Sequence, residues 1–529
     1  MGKTQRKIEK FFWGEPPEDP KERKLLFKLD LVILSYVCLS YWVNYLEFLW
    51  QGDPPAPKIA AADLNSRTNL SNAYVTGMKE DVGFVGNDLT LVNSCFTAGY
   101  VVGQWPSAVI LASGRIPPRV WFPFCVFAWG LCTLGLAFVS NPGQVMGIRF
   151  VMALFEASTF SGSHYILGSW YKDSELGKRT AVFVTAAQFG SFFSGVMQGS
   201  IQKTMHGRSG FAGWKWLFLI DFAITVPVAL YGYFMFPDTP HTTKAFWLSE
   251  EERQLCLKRL PPTEHYVITW PRFRASCIKI VTTWRFYLFS ALFMLSATSF
   301  EKVGVYSECL LWLKSIQWNP VTLNYLGLTP IASAILGTYI LTVYCDATGH
   351  RFWANVIMYI SVLISSIMIL VWDISTGAKF FAYIIAGEFE TWKLKKTEEE
   401  TGGENGIGYA GQASNFAWAN ALTRDDEMLR SMTLFSMNLF SNLWALWYGI
   451  ALWPVSQAPK FRNGQIATIA TGGASVLIAA AIVYCSRRWK PDLPQDHVAH
   501  VEDTEKGYGE DVSQVDHVDQ VEFDKRPSV

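Results

Sequence analysis

The run Ser249-Glu250-Glu251-Glu252-Arg253 (SEEER) lies in a polar segment, residues 237–282, that divides an otherwise apolar chain. A membrane-spanning helix needs roughly 20 mostly apolar residues. Stretches of that kind precede and follow the segment at 29–47, 88–111, 119–139, 144–168, 180–201 and 214–236, then at 284–307, 323–346, 352–372, 379–421 with an interruption, 431–453 and 466–485. The sequence therefore predicts an all-α membrane protein with twelve transmembrane helices in two six-helix halves.

The composition excludes several classes of protein. Of the 529 residues, 50% are hydrophobic and only 17% are charged, whereas a soluble domain carries about 25% charged residues. The 45 basic and 45 acidic residues balance, so no charge excess favours nucleic acid as a partner. No phosphate-binding GxxxxGK[ST] motif and no nucleophile–base arrangement is present, which argues against an ATP-driven pump and against an enzyme.

The nine cysteines are scattered and form no CxxC pair, and the histidines form no cluster of metal-ligand spacing. Neither a disulfide framework nor a zinc site is therefore predicted. We expect the protein to need no metal and no cofactor.

Basic residues in short loops mark the cytoplasmic side of a membrane protein. They follow every second predicted span, and both ends of the chain carry the signal. This pattern predicts a basic cytoplasmic N-terminal tail (1–28), an N-terminal half (29–236), a cytoplasmic central loop (237–282), a C-terminal half (283–486) and a disordered, acidic cytoplasmic tail (487–529).

Ionisable residues inside a span indicate function, because placing them in the bilayer is energetically unfavourable. In the fourth span, Arg149 and Glu156 are seven residues apart and so share one helical face. Desolvation disfavours the charge of Glu156, which makes this residue a candidate proton carrier. The alternative is an ion pair with Arg149 or Lys172 that only fixes packing. The residues alone leave both interpretations open.

Other polar residues within the spans have similar alternatives. Tyr45 and Tyr100 lie beside polar groups and are candidates for the substrate cavity. Asn415 either binds substrate or bonds a neighbouring helix. The small residues Gly99 and Gly103 are more typical of close helix packing.

Several stretches resemble a known family. They are Ile33–Tyr45 (ILSYVCLSYWVNY), Asn72–Asp81 (NAYVTGMKED), Gly86–Thr90 (GNDLT), Pro118–Gly130, Phe155–Tyr171 (FEASTFSGSHYILGSWY), Ala212–Asp221 (AGWKWLFLID) and Tyr409–Asn420 (YAGQASNFAWAN). The chain resembles the fungal allantoate permease-like branch of the anion:cation symporters, within the major facilitator superfamily, and more narrowly the fungal pantothenate transporters. The resemblance implies proton-coupled import of a small organic anion.

The resemblance also implies roles for particular residues. In the wider symporter group the first span carries a Tyr-x-Asp-Arg motif whose Arg engages the substrate carboxylate, which here corresponds to Tyr45 and Arg67. Tyr100 matches a substrate-facing tyrosine of the second span. Glu156 matches a glutamate of the fourth span that takes part in proton coupling. Glu47 stands near the position of the motif's Asp and is a second proton-coupling candidate.

The chain departs from the family pattern in two further places. Arg149 matches the arginine that opens the fourth-span motif and is a structural or gating candidate, but Ala153 and Ser158 stand where the motif has Gly and Pro. The loop after the second span keeps Gly114 and the gating candidate Arg115 without the acidic residue of the gating motif.

Two inserts interrupt the matching regions. Residues 48–66 (FLWQGDPPAPKIAAADLNS) separate Glu47 from Arg67, and their prolines cannot continue a helix. Residues 388–405 place a charged run within the tenth span, where it cannot cross lipid. Both inserts are retained introns in our hypothesis, since joining a Glu codon to a Ser codon ending in C restores Asp directly before Arg67. The rival interpretation is two genuine surface loops, which would impair or abolish transport.

Pantothenate has one carboxylate, an amide and two hydroxyl groups. One arginine, Arg67, suits the carboxylate, and Tyr45, Tyr100, Gln188 and Asn415 supply neutral donors and acceptors. The expected partners are thus a small-molecule carboxylate, a proton and the lipid bilayer, and the expected site is the plasma membrane. The same residues would serve biotin, nicotinate, allantoate or a dipeptide, and a nutrient sensor that binds without transport is a further alternative.

Overall fold

The computed structural model describes residues 19–46, 78–85, 88–205, 207–260, 270–300, 329–348, 351–371, 373–385, 410–452 and 462–489. Helices joined by turns and short connections make up these ranges, in agreement with the predicted all-α class. In chain order they are α1 (Pro20–Leu29), α2 (Ser35–Leu46), α3 (Lys79–Val82), α4 (Asp88–Ala112), α5 (Pro118–Leu136), α6 (Pro142–Glu156), α7 (Thr159–Trp170), α8 (Asp173–Thr204), α9 (Gly213–Met235), α10 (Glu250–Arg259), α11 (Trp270–Thr282), α12 (Trp284–Phe300), α13 (Thr329–Thr348), α14 (Arg351–Val371), α15 (Thr376–Ile385), α16 (Ala410–Leu422), α17 (Glu427–Leu452) and α18 (Arg462–Arg488).

The π-helical turn Asp30–Leu34 joins α1 and α2 into one continuous helix. Six helices of the described ranges are then long and apolar enough to cross a membrane, namely Pro20–Tyr45, Leu91–Ala112, Pro118–Leu136, Gly213–Met235, Arg351–Val371 and Arg462–Arg488. A seventh is added if the pair Arg274–Thr282 and Trp284–Ser296, bent by 62°, forms one span. The predicted count of twelve spans is therefore not confirmed. Helices α8 and α17 have the length, but polar side chains interrupt their apolar stretches.

The fourth predicted span, 144–168, is divided into α6 and α7. The division lies at Ala157 and Ser158, where the backbone N–H of Ser158 bonds the carbonyl of Phe155 at 3.4 Å. The Ser158 hydroxyl donates to the same carbonyl at 3.1 Å. A bond over three residues tightens the last turn of a helix, so α6 ends at Glu156. Ala157 and Ser158 keep right-handed helical dihedral angles, and α7 follows directly.

Local signals in the sequence account for several helix starts. Proline opens α1, α5 and α6, where its missing N–H is not needed. The Asn141 side chain caps α6 by accepting from the backbone N–H of Gln144 at 2.9 Å.

The SEEER run is a capping box at the start of α10. The Ser249 hydroxyl accepts from the backbone N–H of Glu252 at 3.3 Å, and the Glu252 carboxylate accepts from the N–H of Ser249 at 3.1 Å. Glu252 also pairs with Lys28 of α1 at 2.6 Å. The central segment is therefore partly helical and lies against the first helix. Its predicted cytoplasmic position, like the other domain boundaries, stays a prediction.

Close packing of α4 against α6 depends on small residues. A Cβ atom added at Gly103 would lie 2.6 Å from the backbone oxygen of Leu154 and 2.9 Å from the Cβ of Ala157. A Cβ atom added at Gly99 would lie closer still to the backbone oxygen of Phe150. Both glycines therefore contribute to helix packing, as the sequence indicates.

Candidate functional site

Glu156 is buried where α6 meets α2. Only 2% of its surface is exposed. The Asn44 side chain of α2 donates a hydrogen bond to its Oε1 at 2.5 Å. Lys172, one of the two partners considered for a packing ion pair, instead pairs with Glu22 at 2.8 Å. The candidate proton carrier thus has the Asn44 amide of the neighbouring helix as one of its partners.

Arg149 is also buried, with 2% of its surface exposed. Its guanidinium lies 4.6 Å from the centre of the Phe96 ring on α4. Phe96 in turn stacks on Tyr100, with ring centres 6.3 Å apart. A cation over an aromatic ring is stabilised by about 1 kcal/mol. Arg149 therefore links the helix that carries Glu156 to the helix that carries Tyr100.

Tyr45 lies on α2, next to the residue that bonds Glu156. Its hydroxyl accepts a hydrogen bond from the Tyr41 hydroxyl at 3.2 Å, and the two rings meet edge to face. Its Cβ packs closely against Gly190 of α8. Gln188 lies on the same helix, but its side chain is outside the described set.

Tyr100 accepts a hydrogen bond from a residue that lies outside the motifs described above. The Asn438 side chain of α17 donates to the Tyr100 hydroxyl at 3.0 Å. Asn442, one turn later, donates to the Asn438 Oδ1 at 3.1 Å. Both amides interrupt an apolar helix, which is a signal that the sequence does contain. Tyr100 and Asn438 thus join α4 to α17, more than 300 residues apart in the chain.

Asn415 is fully buried on α16. Its Nδ2 donates to the Ser296 hydroxyl at 3.4 Å, and Ser296 forms a short hydrogen bond with Tyr359. Asn415 therefore belongs to a polar group of three helices in the C-terminal part of the chain. These contacts agree with both interpretations of Asn415: that it binds substrate, and that it forms a hydrogen bond between helices.

Four contacts from Arg424, in the turn between α16 and α17, and from Arg430 on α17 bind the C-terminal end of α7. Arg424 donates to the carbonyls of Gly168 and Tyr171 at 3.1 and 2.8 Å. Arg430 donates to the Gly168 carbonyl at 3.4 Å and to the Ser169 hydroxyl at 2.9 Å. We call these contacts the arginine clamp.

Electrostatics support the clamp. Helix carbonyls at a C-terminus carry partial negative charge and favour cations. Burial lowers the pKa of Arg424, while the charge of Asp173, 3.1 Å away, opposes that change. Residues from two predicted cytoplasmic loops therefore meet in the clamp.

The described residues form a small cleft beside this clamp. It is lined by Gly168, Ser169, Pro240, His241, Leu260, Arg424, Glu427 and Arg430. None of the substrate or proton candidates lines it.

The remaining candidates fall elsewhere. Arg115 is exposed in the turn after α4, directly behind Gly114, whose φ of +65° suits glycine. Glu47, Arg67 and both inserts, 48–66 and 388–405, lie outside the described residues. The structure thus connects Tyr45, Tyr100, Arg149 and Glu156 through α2, α4 and α6, and places Asn415 in a separate group.

Comparison with known proteins supplies the family context. Residues 59–446 match the model of the Major Facilitator Superfamily. A pantothenate transporter of Saccharomyces cerevisiae is 36% identical over 494 residues, covering 91% of this chain and 87% of that protein. A pantothenate transporter of Schizosaccharomyces pombe is 34% identical over 476 residues, covering 89% and 83%. The solved structure of the proton:xylose symporter XylE has a TM-score of 0.58 at 11% identity, covering 87% of this chain and 96% of that one, which is a likeness of fold.

Proposed function

The chain belongs to the Major Facilitator Superfamily, and from this premise we propose that it imports pantothenate together with a proton. The family makes it a multi-pass membrane transporter of a small molecule rather than an enzyme. Twelve spans, a plasma-membrane position and a carboxylate substrate are parts of the proposal. The choice of pantothenate as the substrate rests on the similarity to two pantothenate transporters across about nine-tenths of the chain.

Glu156 carries the proton in this proposal. A carboxyl group that is 98% buried and faced by the Asn44 amide is accessible to protons only when the helices around it move. An amide can accommodate either protonation state, because it accepts from a neutral carboxyl and donates to an ionised one. The site can therefore take up and release a proton without breaking its contact to α2.

Substrate recognition combines one cation with neutral groups. Arg67 binds the carboxylate in the proposal, and Tyr45 and Tyr100 supply hydroxyl groups from two helices. Asn415 and Gln188 add amides that match the amide and hydroxyl groups of pantothenate. In transporters of this fold the substrate binds between the two halves. The hydrogen bond between Tyr100 and Asn438 supports that position, because it joins an N-terminal helix to a C-terminal one.

Release into the cytoplasm requires the arginine clamp to open. Arg424 and Arg430 tie α16 and α17 to the end of α7, on the side that the loop charges predict to be cytoplasmic. External protonation of Glu156 and substrate binding come first, followed by rocking of the halves and loss of the clamp. Proton and substrate then leave together, which gives accumulation inside.

The test is uptake of labelled pantothenate by fungal cells that lack their own carrier, at two external pH values. Cells express the chain as given, or a form in which Asp replaces residues 47–66 and residues 388–405 are deleted. We expect the form without the inserts to show concentrative uptake that is faster at the lower pH and is competed by unlabelled pantothenate more strongly than by biotin, nicotinate or allantoate.

Two variants sharpen this test. Glu156→Gln should abolish accumulation, whereas the matched control Glu250→Gln, on the exposed start of α10, should not. Uptake by both forms equal to that of empty vector would favour the sensor interpretation. Uptake that does not change with external pH would exclude proton coupling. Accumulation of pantothenate by Glu156→Gln would show that Glu156 is not the proton carrier.

A further inference from the structure

His164 on α7 is fully buried, with 0% of its surface exposed. Neither ring nitrogen has a hydrogen-bond partner among the residues that the structure describes. A buried polar group without a partner destabilises the fold by about 1–3 kcal/mol. Such a group therefore requires an explanation other than packing.

Three phenylalanine rings surround the imidazole. Phe416 stacks on it with ring centres 4.2 Å apart and planes 24° apart. Phe160 and Phe183 meet it edge to face, at 4.8 and 5.2 Å. A phenyl ring at position 164 would fill the same aromatic cluster without burying two nitrogen atoms. The cluster itself thus gives no reason for a histidine.

The imidazole lies where N-terminal and C-terminal helices meet. Phe160 and Phe183 belong to α7 and α8, whereas Phe416 belongs to α16. Phe416 is also held from the C-terminal side by Phe293, at 4.9 Å. Movement of α16 away from α7 would therefore carry Phe416 with the C-terminal helices and uncover one face of His164.

The backbone of His164 is already engaged in packing. Asn420 of α16 donates to its carbonyl oxygen at 3.1 Å. The turn that follows the same helix carries Arg424, which bonds the end of α7 in the arginine clamp. Opening the clamp and exposing the imidazole therefore involve the same pair of helices.

We propose that His164 binds the substrate in the inward-facing state, when Phe416 no longer covers its ring. A neutral imidazole offers one donor and one acceptor, which match the hydroxyl and amide groups of a pantothenate-like molecule. This inference rests on the proposed function. It assigns His164 to the final binding position before release, distinct from the groups that meet the substrate on entry.

The experiment measures the half-saturating concentration of labelled pantothenate from each side of liposomes that contain the purified protein in the form without the two inserts, which serves as the wild type. For His164→Phe we expect about a tenfold increase on the cytoplasmic side and less than a twofold change on the external side. The matched control is Ser163→Ala, which removes a buried hydroxyl from the adjacent position on α7. It should change neither value.

A second pair of variants guards against loss of folding. His164→Gln and His164→Met have similar side-chain volumes, and only glutamine retains a donor and an acceptor. We expect glutamine to approach the wild type and methionine to resemble His164→Phe. Equal behaviour of these two variants, or equal changes on both sides of the membrane, would overturn the inference. A wild type that carries no pantothenate would overturn the proposed function as well, whereas normal wild-type transport with an unaffected His164→Phe would overturn the inference alone.

Discussion

Replacing Arg424 with alanine should shift the protein toward the conformation that opens to the cytoplasm. The guanidinium group bridges α7 and the turn before α17 through bonds of 3.1 and 2.8 Å to two backbone carbonyls. It is buried, with 6% of its surface exposed. In Arg424→Ala both carbonyls lose this donor in the closed conformation, which is therefore destabilised. The open conformation lacks these bonds already, so the substitution does not change its energy.

The magnitude follows from the contacts. A hydrogen bond that involves a charged group contributes about 1.5–3 kcal/mol, so two such bonds stabilise the closed arrangement by at least about 3 kcal/mol. The ion pair with Asp173 adds little, because the Asp173 side chain is 48% exposed. Since about 1.4 kcal/mol corresponds to a factor of ten, the ratio of open to closed molecules should rise about a hundredfold. An open fraction of about 1% would then become about half.

Spin labels at the exposed positions Ser174 and Thr348 can measure this ratio, in a variant whose native cysteines are replaced. These positions lie at the start of α8 and the end of α13, on opposite sides of the contact between those helices. Pulsed dipolar spectroscopy should show a second, longer distance in Arg424→Ala. Arg208→Ala, an exposed arginine in the turn before α9, serves as the control. An unchanged distance distribution would refute the assignment of the arginine clamp as the cytoplasmic closure.

Three further predictions follow from single contacts. Asn438→Leu should raise the external half-saturating concentration of pantothenate about tenfold, because the Tyr100 hydroxyl loses its donor; unchanged uptake kinetics would contradict this. Gly103→Ala should lower the unfolding temperature in detergent through overpacking of about 1–3 kcal/mol against α6, whereas Gly147→Ala, with no atom within 4 Å of the new Cβ, should not. Sequencing the transcript should show that residues 48–66 and 388–405 are absent from the message, and a message that carries both inserts would end the intron hypothesis.

The sequence predicts the all-α class and the helix-capping residues well, because both depend on residues close together in the chain. Hydrophobic stretches, prolines at helix starts and the Ser249 capping box can be read within a few residues. Gly99 and Gly103 also reveal a packing face without knowledge of the partner helix. The count of twelve spans is less secure, since polar residues that line an interior lower the apolarity of the helices that carry them.

Partnerships between distant residues could not be predicted from the sequence. Nothing near Tyr100 in the chain points to Asn438, because their hydrogen bond forms only after α4 and α17 have packed together. His164 lies within the fourth predicted span, but that neither ring nitrogen has a hydrogen-bond partner among the described residues is visible only in three dimensions. The irregular turn after Glu156 could not be predicted from Ser158, which stands where the family motif has proline.

Coupling between proton and substrate can pass through one hydrogen bond. Asn44 and Tyr45 are neighbours on α2, so the amide that contacts Glu156 moves with a proposed substrate ligand. Ionised carboxylates accept hydrogen bonds about twice as strong as neutral ones; loss of the proton therefore draws α2 toward α6, and protonation relaxes it. Asn44→Leu should consequently retain pantothenate exchange across the membrane but lose accumulation, as measured by counterflow and net uptake in the same cells. An Asn44→Leu variant that still concentrates pantothenate would show that the coupling takes another route.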